Sequence, residues 1–236
     1  MRAIREHKLL ENCPGLQTPF GINGNQASPD LQTVDSGISL GHASALYEFV
    51  KKTKPKTILE VGMANGISAV AMLQALRENG SGELISIDPY QNSDWGGRGL
   101  KLIKECGLSG IHRLIEEPDY LALPRLLEAK QELDFAYIDG WHTFDYTLVD
   151  FWYIDKMLNI NGTVAFNDCG MRAVSKVIGF LKTHRNYEED MVLKRRYKSA
   201  NFAKTIIRMA LGLCTNDRYF RKNSNFAPSW DFFKNF

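Results

Sequence analysis

The sequence has few cysteines and no long apolar run. Its 236 residues include four cysteines, at positions 13, 106, 169 and 214, and this scattered spacing indicates neither a disulfide framework nor a zinc site. No uninterrupted apolar stretch approaches the ~18 residues that a membrane-spanning helix needs, so no membrane partner is expected. Residues 1–8 lack the apolar core of a secretory signal. A reducing, cytoplasmic location is therefore the default expectation.

The sequence also has no excess of either charge. Lys and Arg number 29 and Asp and Glu 27, which gives a net charge of +2 and points to no acidic partner. Basic runs occur late, at 194–196 and 218–222, but few aromatic residues interleave with the first of them. Both runs are interpreted as solvated surface, and a nucleic-acid partner is not expected. A hydrophobic content of 44% is that of a globular protein with room for one sizeable domain.

The most informative segment is a β-prone run that ends in a turn of small residues. Residues 57–66 read Thr-Ile-Leu-Glu-Val-Gly-Met-Ala-Asn-Gly, and a second apolar run ends on Asp88. Gly62 and Gly66 permit a tight turn that a ligand can approach closely, and the following helix directs its free N–H groups at that ligand. An acid about 20 residues past such a turn can accept hydrogen bonds from both ribose hydroxyls. The pattern predicts a nucleotide-binding βαβ unit.

The glycine spacing argues against a dinucleotide. In the fingerprint G-x-G-x-x-G the second and third glycine positions are occupied here by Ala64 and Ile67. A nicotinamide-dependent oxidoreductase is thereby disfavoured, although it stays an alternative. Glu60 suits a ligand that carries an ammonium group, directly or through water, while the helix N–H groups and the Ser68 hydroxyl suit a carboxylate.

Strands and helices are predicted to alternate along most of the chain. Strands are expected at 57–62, 84–88, 111–116, 134–139 and 162–167, and helices at 43–52, 67–79, 98–106, 119–130, 143–158 and 171–184. This alternation predicts an α/β fold with right-handed crossovers and a doubly wound, mostly parallel sheet. Two later β-prone stretches, near 190–197 and 202–209, are expected to close the sheet.

Three regions are expected along the chain. Residues 1–40 form an irregular arm, residues 41–210 form the cofactor-binding domain, and residues 211–236 form an aromatic tail. The last twelve residues contain four phenylalanines and a tryptophan, too many for a solvated tail. The tail is therefore expected to pack on the domain, on a substrate or on a second subunit, which leaves a homo-oligomer open.

Polar side chains follow two of the predicted strands. Asp139 ends one strand, with His142 three residues later, and Asn167 and Asp168 end the next. Both endings fall on the ligand-binding edge of a parallel sheet. Two carboxylates and an amide oxygen there predict a magnesium site, and His142 can then remove a proton from a hydroxyl. The alternative interpretation is that Asp139 and Asp168 cap helices while His142 is a surface histidine.

Four motifs, at residues 58–68, 87–90, 137–142 and 162–168, carry a family resemblance. From about residue 37 to 182 the chain resembles the metal-dependent O-methyltransferases, within the Rossmann-like class I S-adenosylmethionine (SAM) methyltransferases. The sugar O-methyltransferases of macrolide biosynthesis are more similar than the catechol O-methyltransferases. The resemblance implies SAM as cofactor, magnesium as metal, an antiparallel last strand, and a small hydroxylated acceptor of sugar, phenolic or natural-product type.

The resemblance also implies a set of site residues. His142 stands at the position of the family's catalytic base. SAM would be bound by Glu60, Gly62, Met63, Ala64, Asn65, Gly66, Ser68, Asp88 and Asp139, and the metal by Asp139, Asn167 and Asp168. At two positions the sequence departs from the metal-binding motifs of these enzymes. Cys169 stands where the catechol group has an amide ligand, and Asn167 stands where the sugar enzymes have a carboxylate. These departures keep a non-catalytic SAM-binding protein as an alternative function.

Overall fold

The computed structural model describes residue 11 and residues 38–190, 217–226 and 228–236. The chain divides into two compact units, residues 1–119 and residues 120–236. Three strands lie in the first unit and four in the second.

The first unit is a parallel sheet with helices between its strands. Its elements are α1 (Leu40–Thr53), β1 (Thr57–Val61), α2 (Ile67–Asn79), β2 (Glu83–Ile87), α3 (Arg98–Glu105), a 3₁₀ turn (Ser109–Ile111) and β3 (His112–Ile115). The strands pair in the order β3-β2-β1, all parallel. Strands β1 and β2 are buried along nearly their whole length, as expected for parallel strands covered on both faces. This buried platform fixes the turn that follows β1.

The second unit is a mixed sheet. Its elements are α4 (Asp119–Glu128), which begins at the boundary, β4 (Leu133–Ile138), α5 (Phe144–Met157), β5 (Leu158–Phe166), α6 (Arg172–His184), β6 (Tyr187–Glu189) and β7 (Arg218–Lys222). The strands pair in the order β4-β5-β7-β6, with β4 parallel to β5 and β7 antiparallel to both of its neighbours. The predicted antiparallel last strand is confirmed.

The fold class agrees with the prediction from the sequence. Helices alternate with strands, and the seven described strands are mostly parallel, with β7 antiparallel. This is a doubly wound, Rossmann-like α/β fold. Within the described residues no helix combines the length and the apolar character needed to cross a membrane.

The last strand corrects one interpretation. The basic run 218–222, interpreted as solvated surface, forms β7 and buries Tyr219, Phe220 and Lys222. The Lys222 ammonium is satisfied inside, because Nζ donates to the carbonyls of Asp155 and Leu158, at 2.5 and 3.0 Å. Of the β-prone stretches near 190–197 and 202–209, all but Asp190 lies outside the described residues.

The aromatic tail contacts α5 and α6 in the second unit. The ring of Phe236 lies 5.6 Å from that of Phe180 and 6.4 Å from that of Phe144, measured between centroids. Lys176 Nζ donates to the Phe236 carbonyl at 2.8 Å. The domain boundaries at 40/41 and 210/211 stay predictions.

Candidate functional site

The turn after β1 has an unusual backbone. Gly62, Ala64 and Gly66 all have positive φ, at 85°, 46° and 78°. Glycine adopts this region without cost, whereas alanine does not. Gly66 is required for a second reason, because a Cβ there would lie 2.7 Å from the Cα of Gly99. The turn is thus a fixed structure, and neighbouring groups must hold Ala64 in its conformation.

Asp88 is one of those groups. Its side chain is only 3% exposed, and Oδ2 accepts hydrogen bonds from the backbone N–H groups of Ala64, at 2.7 Å, and Met63, at 3.2 Å. Oδ1 accepts from the N–H of Tyr90 at 2.9 Å. Gln91 Nε2 also donates to Oδ2, at 3.5 Å, so three of the four donors are on Oδ2 and an acceptor position on Oδ1 is still available. Asp88 shapes the turn, and its contact with ribose hydroxyls stays a prediction.

Glu60 lies beneath the turn and is fully buried. Its carboxylate accepts hydrogen bonds from the hydroxyls of Ser68 and Ser86, the latter at 2.8 Å. Ser86 Oγ lies 3.1 Å from Nε2 of His112, and burial lowers the pKa of His112 to about 4, so this histidine is neutral at pH 7. The structure brings the predicted residues Glu60 and Ser68 together. Glu60 was predicted to contact an ammonium group of the ligand directly or through water. Because Glu60 is enclosed, this geometry favours contact through water over direct contact.

Gln91 also contacts the turn, and sequence reasoning missed it. Its side chain is completely buried, with Nε2 donating to the carbonyl of Ala64 at 2.9 Å and Oε1 accepting from the N–H of Gly99 at 3.0 Å. A lone glutamine in a loop between β2 and α3 belongs to no periodic pattern or motif. Only the tertiary structure shows that it links two segments.

A second group of polar side chains lies in the other unit, where β4 and β5 end. His142 Nε2 lies 3.5 Å from Asp139 Oδ1 and 3.8 Å from Asp168 Oδ2. The nearby carboxylate of Asp139 raises the pKa of His142 above its usual value, although burial acts in the opposite direction. Burial raises the pKa of Asp139, against the opposing effects of the nearby His142 ring and of the hydrogen bond from Asn167. The structure therefore brings these four predicted residues together as one acid–histidine cluster: Asp139, His142, Asn167 and Asp168.

The orientation of Asn167 matters for metal binding. Its Oδ1 accepts a hydrogen bond from the backbone N–H of Asp168 at 2.8 Å, so its Nδ2 faces Asp139 and donates to that carboxylate. The backbone donor fixes which end of the amide is oxygen. Asn167 thus presents N–H groups, which cannot ligate a metal, to the acid–histidine cluster. This orientation does not support the prediction that Asn167 ligates magnesium.

The remaining donors do not fit a magnesium ion as they are placed. Magnesium needs near-octahedral oxygen ligation, and here an imidazole nitrogen lies between the carboxylates of Asp139 and Asp168. Across the described part of the chain, no group of three or more His, Cys, Asp or Glu side chains is arranged to hold a metal. The metal roles of Asp139 and Asp168 stay predictions.

Asp217 is a further acid near this cluster that the sequence did not suggest. It directly precedes β7 and is 2% exposed, and Tyr137 donates to its Oδ2 at 3.5 Å. Because β7 runs antiparallel to β5, with Arg218 opposite Phe166, its first residues lie where β5 ends. Burial, followed by the charges of Asp139 and Asp168, raises the pKa of Asp217 well above its usual value. Among the described atoms its Oδ1 has no hydrogen-bond partner.

Cys169, the residue that departs from the catechol pattern, is buried. Its thiol donates to the carbonyl of Phe166 at 3.1 Å. Burial raises the pKa of this thiol, with Asp217 acting in the same direction. Cys169 is therefore an inert thiol in the folded protein rather than a nucleophile.

Comparison with known proteins agrees with this geometry. Residues 59–169 match a family model described as a methyltransferase domain. Tapetum-specific methyltransferase 1 of Arabidopsis thaliana is 28% identical over 168 residues, which cover 70% of this chain and 64% of that protein. The chain spans 64% of the length of the curated relatives that it matches.

Solved structures share the fold. The methyltransferase of Podospora anserina bound to S-adenosylhomocysteine (SAH) superposes with a TM-score of 0.64 at 17% identity, covering 92% of this chain and 88% of that one. The O-methyltransferase of Bacillus cereus in complex with SAH superposes with a TM-score of 0.62 at 12% identity, covering 91% and 89%. At these identities the superpositions show the fold.

Proposed function

We propose that this chain, which belongs to the class I methyltransferase family, transfers the methyl group of SAM to an oxygen of a small hydroxylated acceptor. The observation that carries the proposal is the His142 imidazole 3.5 Å from Asp139, at the end of β4. A histidine paired with an acid at the ligand edge of this fold is suited to remove a proton. The acceptor is expected to be a sugar, a phenol or a related natural product.

In this proposal the turn after β1 binds the cofactor. The first bond within α2 runs from the N–H of Val70 to the carbonyl of Gly66, so the N–H groups of residues 67–69 precede it and are available to a ligand carboxylate. The turn backbone from Met63 to Gly66 would lie along the amino-acid portion of SAM, and Asp88 would face the ribose. Two solved proteins of the same fold are described as bound to SAH, which supports this assignment.

The transfer itself needs a deprotonated oxygen. The acceptor oxygen forms a bond to the methyl carbon while the bond from carbon to sulfur breaks, and SAH leaves. The hydroxyl proton goes to His142. The carboxylates of Asp139 and Asp168 lie 3.5 and 3.8 Å from Nε2 of this ring, and in this proposal their charge favours a proton on Nε2, so that Nδ1 is the acceptor atom. No step in this proposal passes through a metal ion.

A methyl-transfer assay tests the proposal. The purified chain is incubated with tritiated SAM and separate panels of sugars, phenols and hydroxylated natural products, with and without chelator. Transfer to at least one panel, with an equal yield of SAH, is the expected result. SAM binding in calorimetry without transfer to any panel would support a SAM-binding protein that is not an enzyme. Binding of NAD in place of SAM would instead favour an oxidoreductase.

The chelator arm decides the role of magnesium. An unchanged rate in excess chelator agrees with a base that works without a metal. A rate that is lost in chelator and restored by magnesium would mean that Asp139 and Asp168 bind the ion, with His142 displaced from between them.

A further inference from the structure

We infer that Gln91 is a positioning residue that sets the shape of the turn after β1 (residues 62–66, the cofactor turn) and holds the start of α3 against it. The inference rests on the proposed function in one respect, which is that SAM is the ligand of this turn. Gln91 itself need not touch the cofactor. It acts through the backbone of Ala64 and Gly99.

The contacts of Gln91 join three segments of the first unit. The side-chain amide donates to the Ala64 carbonyl at 2.9 Å and accepts from the Gly99 N–H at 3.0 Å. The backbone carbonyl of Gln91 accepts from the N–H of Gly97 at 2.7 Å. Since the side chain is fully buried, these bonds are shielded from competing water. Both ends of one planar amide thus hold the turn and α3 at a fixed separation.

Ala64 is the residue that most needs such support. Its φ of 46° is costly for a residue with a Cβ. Asp88 holds the N–H of Ala64 at 2.7 Å, and Gln91 holds its carbonyl at 2.9 Å. The peptide groups on both sides of the strained residue are therefore tied, one by a carboxylate and one by an amide. A glutamate at position 91 would be unable to donate to the carbonyl and would lie beside Asp88.

The packing of α3 against the turn leaves no room for adjustment. A Cβ on Gly66 would lie 2.7 Å from Gly99 Cα, and a Cβ on Gly99 would lie 2.7 Å from Met63 Cε and 2.9 Å from the Ala64 carbonyl oxygen. Two backbones in direct contact transmit small displacements, because neither can move without the other. Loss of the Gln91 amide is therefore expected to alter the turn itself and not merely a loop beside it.

The test compares two buried glutamines of the same unit. Gln91→Met removes the three hydrogen bonds of the side-chain amide, to Ala64, Gly99 and Asp88, at similar side-chain length. Gln74→Met is the matched control, because Gln74 is 3% exposed on α2 and its Nε2 donates to Glu78 on the same helix, at 2.8 Å. Calorimetry is expected to show SAM affinity about tenfold weaker in Gln91→Met, the size of one or two lost net hydrogen bonds, and changed less than twofold in Gln74→Met.

The outcomes separate this inference from the proposed function. If the parent chain does not bind SAM, the proposed function fails. If the parent binds and both variants bind equally well, Gln91 has no positioning role and the inference is overturned. A purely structural role would lower the folded fraction, which reduces the apparent kcat and leaves both KM values unchanged. The positioning role instead predicts a raised KM for SAM, with kcat at saturating SAM and KM for the acceptor nearly unchanged.

A second variant covers the case in which Gln91→Met does not fold. Gly99→Ala keeps the glutamine but places a methyl group against Met63 and the Ala64 carbonyl. It is expected to weaken SAM binding by a similar factor, with Gly110→Ala as its control because a Cβ at Gly110 would meet nothing within 4 Å. Unchanged SAM affinity in a folded Gly99→Ala protein would overturn the inference.

Discussion

The turn after β1 and the acid–histidine cluster hold buried aspartates in opposite surroundings. In the turn, the buried carboxylate of Asp88 receives three backbone N–H groups. Near the acid–histidine cluster, Asp217 is equally buried but has an oxygen without a described partner and two like-charged neighbours, Asp139 and Asp168. The first arrangement satisfies a buried carboxylate with backbone donors, whereas the second raises the pKa of Asp217 and so disfavours its charged form.

The contrast separates what holds the fold from what can react. A buried carboxylate that accepts three backbone N–H groups fixes the positions of those backbone segments, which suits a rigid binding surface. Crowded acids beside a histidine make proton positions sensitive to small changes, which suits proton transfer. Variants at His142, Asp88 and Asp217 test this contrast.

The largest expected effect is on turnover. His142→Ala should lower kcat by about 10²–10⁴-fold, because a positioned base typically contributes that factor, while SAM affinity stays unchanged. Asp145→Asn is the control, since Asp145 is exposed on α5 three residues further along. A parent-like rate in His142→Ala would make His142 a bystander.

The pH profile sharpens this prediction. A raised pKa keeps His142 protonated to a higher pH than free histidine, and the protonated ring cannot accept a proton. The parent rate should therefore rise with pH through a midpoint above 6.5. A flat profile from pH 6 to 9 would contradict a histidine base.

The next effect concerns cofactor binding. Asp88→Ala should weaken SAM affinity by about 10–100-fold, the size expected when hydrogen bonds to a charged group are lost, and should lower the melting temperature. Calorimetry and thermal unfolding measure the two changes. Asp94→Ala, an exposed acid in the same loop, serves as control. Loss of affinity without any loss of stability would mean that Asp88 binds ligand but does not support the turn.

Asp217 should show the reverse effect on stability. An acid whose pKa is raised in the folded state costs increasing stability as pH rises above the unfolded value of 3.8. Asp217→Asn should therefore raise the melting temperature at pH 7 and change it little near pH 4, because an amide oxygen can still accept from Tyr137. A lower melting temperature of Asp217→Asn at pH 7 would show that the ionised carboxylate stabilises the fold.

The smallest expected effect is on acid stability. Burial acts to raise the pKa of Glu189, but hydrogen bonds from Arg218 and Lys182 outweigh it and lower the pKa to about 2. The stability from this lowered pKa is present above the unfolded value of 4.5 and is lost as pH falls towards 2. Glu189→Gln should remove that part of the acid sensitivity, measured by thermal unfolding between pH 2 and 5.

Glu188 provides the matched control for this measurement. It pairs with Arg221 at 2.9 Å, but both side chains are more than half exposed. Exposed pairs contribute little, so Glu188→Gln should leave the acid sensitivity unchanged. Equal effects of the two variants would show that the partly buried pair of Glu189 and Arg218 contributes no more than an exposed pair.

The features that could be predicted from the sequence are those that depend on local residue patterns and on the order of the strands. Strand β1 was expected at 57–62 and runs from Thr57 to Val61, because a β-prone run followed by glycine identifies its own end. The grouping of Asp139, His142 and Asp168 followed from the rule that parallel strands end at one edge. These features need only periodicity and connectivity.

What escaped prediction depends on contacts distant in sequence. The alternation of buried and exposed side chains along β7 cannot be recognised in the sequence, because the basic residue Lys222 is one of the buried ones. Its ammonium group donates to the carbonyls of Asp155 and Leu158, about 65 residues away in the sequence. Gln91 and Asp217 likewise acquire their roles only from partners brought near by folding. Neither carries a local signature that distinguishes it from a solvated residue.

The buried thiol of Cys169 gives this protein an internal reporter of local opening. Because this thiol is buried and directly follows Asp168, its reaction with a thiol reagent is expected to require local opening of the segment after β5. The rate of its modification, compared with that of the partly exposed Cys106, would measure how often the acid–histidine cluster comes apart in the native state. A ligand that binds at this cluster should slow the modification of Cys169 while leaving that of Cys106 unchanged.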